Sequence, residues 1–162
     1  MTELSNIAAT VADLLKQRGD TIAVSESSCG GLLSAALVAI SGASAYYRGG
    51  SIIYTRDAQE GLLRVPDEAM EGQRASTEYY AELNARTLRE ILGTTWALSE
   101  TGASGPTGNR YGDDAGHACI AVSGPVERSI TIETGESDRE GNMWAFAEAA
   151  FALLEECLNE AG

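Results

Sequence analysis

The chain has 162 residues, a formal net charge of −13 from 11 basic and 24 acidic side chains, and a hydrophobic fraction of 44%. That size and composition suit a single domain over residues 1–162 with a real apolar core. The acid excess argues against a basic footprint for nucleic acid or an anionic membrane surface, so neither is expected as a partner.

Residues 2–18 place Leu4, Ile7, Ala8, Val11, Leu14 and Leu15 at helical spacing, and Gly19 ends the pattern. Residues 21–25 form an apolar run that reads as a buried strand. The run stops at Glu26-Ser27-Ser28-Cys29-Gly30-Gly31, and residues 32–40 then read as a helix that is apolar nearly all round. Residues 49–55 predict a second strand. Asp57 is a candidate cap for a short helix to Leu63, stopped before Pro66. Ser76 reads as the N-cap of a longer helix to about Leu92, and residues 95–99 as a third strand.

Residues 101–116 are rich in Gly, Pro, Asn and Asp, and loops of that length inside a domain are usually functional or disordered. Residues 119–122 and 129–133 predict a hairpin around Gly124-Pro125, and Asp138 a cap for a last helix towards Cys157. Strands and helices alternate early and a hairpin comes late, which predicts an α/β fold with a mixed sheet. Cys29, Cys119 and Cys157 make no CxxC pair and no metal spacing with the one histidine, His117. Three unpaired thiols, no signal-like start and no run near the roughly 20 apolar residues of a membrane span predict a cytoplasmic protein without metal.

The strand–glycine–helix junction at residues 25–32 is the strongest chemical signal. Such a turn aims backbone N–H groups at one spot, where a phosphate or a developing oxyanion is stabilised, although two glycines also serve simply to turn the chain. Ser27, Ser28 and Cys29 stand beside it as potential nucleophiles. In the 101–116 loop, Ser104 and Arg110 suit ribose and phosphate contacts, with arginine as a bidentate clamp.

Six segments in register resemble the CinA C-terminal domain family of competence/damage-inducible proteins. They are Ser25-Glu26-Ser27-Ser28-Cys29-Gly30-Gly31, the Gly42-Ala43-Ser44 to Gly49-Gly50 stretch, Tyr54 with Leu62-Leu63-Arg64-Val65, Gly72-Gln73-Arg74-Ala75-Ser76, Thr101-Gly102-Ala103-Ser104-Gly105-Pro106, and Asp138-Arg139-Glu140. The resemblance implies a three-layer α/β/α sandwich, a homo-oligomer, and hydrolysis of the carboxamide of nicotinamide mononucleotide to nicotinic acid mononucleotide and ammonia, with no cofactor. It puts the nucleophile at Ser27, with Tyr54 and Gln59 lining the pocket. Glu26, Ser28, Cys29, Gly30, Gly31, Thr101, Gly102, Ser104, Gly105, Arg110 and His117 are the expected substrate contacts.

Where the family has a lysine acting as base, this chain has Gln59, which carries no basic nitrogen. The replacement base is open between His117 and Tyr54, and Cys29 at a helix start is a candidate low-pKa thiol. Two alternatives stand beside the amidohydrolase: a family member that has lost catalysis and binds a nucleotide or a protein partner, and a hydrolase of a different small amide.

Overall fold

In the computed structural model, which describes residues 3–162, five strands of the described chain form one sheet. Strands β1 (Ile22–Glu26), β2 (Tyr47–Ile52), β3 (Trp96–Ala103), β4 (His117–Ser123) and β5 (Arg128–Glu133) lie in the order β2-β1-β3-β4-β5. β1 is parallel to β2 and β3, whereas the β3–β4 and β4–β5 pairs are antiparallel, so the sheet is mixed. The helices are α1 (Glu3–Arg18), α2 (Leu32–Val38), α3 (Arg56–Leu63), α4 (Glu78–Leu92) and α5 (Arg139–Glu160).

Side chains alternate across a strand, and that period builds the layers. Ile22 and Val24 of β1, Trp96 and Leu98 of β3, and Ile120 of β4 join one core with α1, α2 and α5. Ala23, Ala97, Cys119 and Ala121 point to the opposite face, against α4. Small residues on both partners, including Ala81 and Ala85 of α4, let that helix pack close to the sheet. The result is an α/β/α sandwich. Its largest fully buried side chain, Trp96, contributes roughly 2–3 kcal/mol through burial. The Trp96 indole N–H is satisfied by Asp20 Oδ2 at 2.9 Å.

Local chemistry moves several boundaries from those predicted. Thr55, not Asp57, caps α3, accepting from the Ala58 N–H, and Asp57 instead sits in the first turn, where its charge suits the helix dipole. Thr77, not Ser76, caps α4 through the Tyr80 N–H; Ser76 stands outside the helix with φ at 62°. β3 continues through Ala103, so the loop begins three residues later than its composition indicated. Asp138 does cap α5, accepting from the Gly141 N–H at 3.0 Å. Among the described residues, no helix is long and apolar enough to cross a membrane.

Candidate active site at the carboxyl ends of β1 and β3

From β1 the chain reaches β2 through α2 on one face of the sheet, then reaches β3 through α3 and α4 on the other. β1 is therefore flanked by strands approached over opposite faces, the place where open α/β sheets leave a crevice at their carboxyl ends. A pocket of about 880 Å³ lies there. Ser27 follows β1 into it, Thr101 and Gly102 line it from β3, and Tyr54, Arg56, Arg74 and Arg110 come from the surrounding loops and α3. Gly102 is needed for packing: a Cβ there would meet the His117 carbonyl oxygen of β4 at 2.5 Å.

The glycine turn after Ser27 is built as its sequence indicates, with Gly30 at φ 64° and Gly31 at φ 110°, conformations that favour glycine. Its N–H groups are nevertheless occupied. The buried Glu26 carboxylate accepts from the N–H groups of Gly31 (3.0 Å), Leu33 (2.9 Å) and Ser34 (2.8 Å). Glu100 of β3 accepts from the N–H groups of Ser27 (3.0 Å) and Cys29 (2.9 Å), and from the Ser28 hydroxyl. The Gly30 N–H donates to the Ser27 carbonyl. Among the described residues of this turn, the Ser28 N–H alone is left without a protein acceptor. The open N–H nest expected over residues 28–31 is thus reduced to one donor. Glu26 braces the turn, and burial lifts its pKa against the opposing pull of the Ser34 and Leu33 N–H bonds.

The Ser27 hydroxyl makes no hydrogen bond to a described side chain, and neither lysine nor histidine lines the pocket. The chain's one lysine, Lys16, donates to the Ser41 carbonyl at 2.9 Å, away from the site. Gln59 does not line the pocket as expected. It is fully buried below it: its Nε2 donates to Asn84 Oδ1 at 2.9 Å, and its Oε1 accepts from Arg56 Nη1 at 3.2 Å. Arg56 thus places a cation against the Gln59 amide, and a guanidinium cannot take a proton.

The opposite wall is cationic and aromatic. Arg74 pairs with Asp113 through both its terminal nitrogens, at 2.8 and 3.2 Å. The Arg74 and Arg110 guanidinium carbons lie 4.9 and 5.0 Å from the Tyr111 ring centroid, within cation–π range. Arg110 donates to the Tyr111 hydroxyl at 2.9 Å and makes no carboxylate contact among the described residues. In an acidic chain this wall is a local positive field. Tyr54 is exposed, and its hydroxyl accepts from Arg139 Nη2 at 3.0 Å, which leaves its own proton free to donate.

Other expected contacts lie elsewhere. Ser104 is buried, and its carbonyl accepts from Asn142 of α5 at 2.8 Å; the Gly105 carbonyl accepts from Arg139 Nη1 at 2.5 Å. Both residues anchor the loop to α5. His117 faces Glu133 and the Ser76 carbonyl, away from Ser27. Cys29 is 1% exposed, and its thiol pKa is pushed up by burial and by the Glu100 and Glu26 charges, the reverse of the low value expected at a helix start. The glycine signature concealed Glu100, the second brace of the turn after Ser27. Its sequence signal was its position one residue before the Thr101-Gly102 motif, in the strand beside β1. Arg74 and Arg139 both lay inside segments that carry the family resemblance.

The sequence model of the CinA C-terminal domain matches residues 4–158. A CinA-like protein of Trichormus variabilis is 40% identical over 128 residues, covering 79% of this chain and 31% of that protein. One from Gloeobacter violaceus is 38% identical over 139 residues, covering 85% of this chain and 32% of that protein. The chain thus spans about a third of the length of these relatives. The fold matches a competence-damaged protein (CinA) superfamily structure from Klebsiella pneumoniae with a TM-score of 0.91 at 25% identity, covering 98% of this chain and 99% of that one. A competence damage-inducible protein A from the same species matches at 0.90 and 26%, covering 98% of each chain. The ordered motifs, the α/β/α sandwich and these matches place the chain in the CinA C-terminal domain family.

Proposed function

We propose that the pocket takes a pyridine nucleotide of the nicotinamide mononucleotide kind, and that Ser27 hydrolyses its carboxamide slowly. The observation that carries this reading is the Ser27 hydroxyl, without a hydrogen-bond partner among the described residues, on the same pocket as the Arg110 guanidinium, which no described carboxylate neutralises. The serine oxygen would attack the amide carbon, ammonia would leave, and water would hydrolyse the resulting ester to nicotinic acid mononucleotide. The Ser28 N–H is the donor available to the developing oxyanion. The Tyr54 hydroxyl, oriented by Arg139, is placed to donate its proton, and Arg110 would hold the phosphate.

Among the described residues no side-chain base is hydrogen-bonded to the Ser27 hydroxyl, and general-base help is typically worth about 10² to 10⁴ in rate. Turnover is therefore expected to be slow. The burial of Gln59 favours a second reading, in which the same pocket binds the nucleotide without turning it over. Two measurements separate the readings: ammonia release from nicotinamide mononucleotide, and thermal stabilisation by that compound and by nicotinic acid mononucleotide. Stabilisation with ammonia release supports the enzyme, and stabilisation alone supports the binding protein. Neither effect would reject a pyridine nucleotide as the ligand.

A further inference from the structure

We infer that His117 is held as an imidazolium that latches the pocket wall at residues 74–76 to β4 and β5, which makes it a positioning residue and not a base for Ser27. His117 Nδ1 faces Glu133 Oε2 at 2.5 Å, and Nε2 faces the Ser76 carbonyl oxygen at 2.9 Å. A carbonyl and a carboxylate both accept, so both ring nitrogens must donate, and only the protonated ring has two N–H groups. Asp113 Oδ2 lies 3.6 Å from Nε2, and that same carboxylate holds Arg74.

The latch therefore joins residues 74–76, which line the pocket, to β4 and β5 behind them. Ser76 is the segment most in need of it, because it is a non-glycine residue at φ 62°. Its N–H is tied to Thr101 Oγ1 at 3.2 Å and its carbonyl to the imidazole, so both sides of that strained residue are fixed. Arg74, Ser76 and Thr101 all line the pocket, so the latch acts on the ligand site through them.

The groups around the ring agree with a charged state. Asp113 faces it from the loop and Glu133 from β5, while Cys119 of β4 lies 3.8 Å from Nε2. Arg74, the nearby cation, is neutralised by Asp113, and Glu78 of α4 is spent on the Ser129 and Thr131 hydroxyls. Burial lowers the imidazole pKa, but the bonds to Glu133 and Ser76 and the Asp113 charge outweigh it and leave it above the ordinary value. For a raised folded value the latch is complete below the ordinary value of about 6.5 and is lost as pH rises through the folded one. The neutral ring keeps one donated bond and must release the other.

His117 is the chain's single histidine, so its ring can be followed without assignment ambiguity by ¹⁵N NMR of the whole protein. The expected result is two protonated ring nitrogens at pH 6 and a midpoint above the ordinary value of about 6.5. The Arg74 Nε–H and Thr77 amide signals should follow the same curve and become flat in His117→Gln. Glu133→Gln should lower the midpoint, and it serves as the test if His117→Gln does not fold. One unprotonated ring nitrogen at pH 6, a midpoint at or below the ordinary value, a midpoint unmoved by Glu133→Gln, or Arg74 and Thr77 signals that ignore the imidazole would each overturn the inference. The test holds whichever ligand the pocket takes.

Discussion

The Gln59 side chain donates to Asn84 at 2.9 Å in the interior of the protein. Gln59 therefore makes a sealed structural hydrogen bond in this chain. Gln59→Lys would put an amine where burial favours its neutral, basic form. It would also leave Arg56 Nη1 without its amide acceptor. The expected cost is about 1–3 kcal/mol of unfolding free energy, read by urea denaturation. If the rest of the pocket is competent, ammonia release from nicotinamide mononucleotide should rise by about 10² or more.

Glu100 holds the Ser27–Cys29 turn from the neighbouring strand. Glu100→Ala strands the Ser27 and Cys29 N–H groups and the Ser28 hydroxyl. A loss of roughly 3 kcal/mol is expected, and a smaller one for Glu100→Gln, which keeps one acceptor. Equal midpoints for the two variants in urea would show that the carboxylate is not the brace described.

The three thiols should be silent in the folded protein. Cys29, Cys119 and Cys157 are buried, and burial raises the pKa of each. At pH 8 they stay protonated and covered, so a disulfide reagent should react with all three only after denaturant is added. Prompt reaction of one thiol in the native protein would contradict this placement.

Stability should rise with salt. A net charge of −13 on 162 residues makes the folded chain repel itself. Raising NaCl from about 0.05 to about 1 M shortens the Debye length to roughly 3 Å, so Tm should increase across that range. A falling or flat Tm would mean that the ion pairs, such as Arg74–Asp113, outweigh the repulsion.

The layers were legible because strand alternation and helical stripes are set by burial, and Ile22, Val24, Trp96 and Leu98 carry that pattern openly. The Gly30-Gly31 turn was legible because few residues other than glycine tolerate its backbone. What filled the turn was not. A glutamate in a strand reads as solvent-facing, and only the position of β3 beside β1 shows that Glu100 is buried and occupies N–H groups of the turn. His117 failed as a candidate base for a similar reason. Its position at a strand start was visible, but its partners are 16 and 41 residues away in sequence. The caps at Thr55 and Thr77 were misread because neighbouring Asp57 and Ser76 have equal capping chemistry, and only backbone geometry separates them.

The most direct test of the account is ammonia release from nicotinamide mononucleotide by the unaltered protein and by Ser27→Ala, with thermal stabilisation by the same compound measured in parallel. The account predicts slow release that disappears in Ser27→Ala while stabilisation is kept, because Arg110 and the aromatic wall remain. Release that survives the loss of the Ser27 hydroxyl would contradict it.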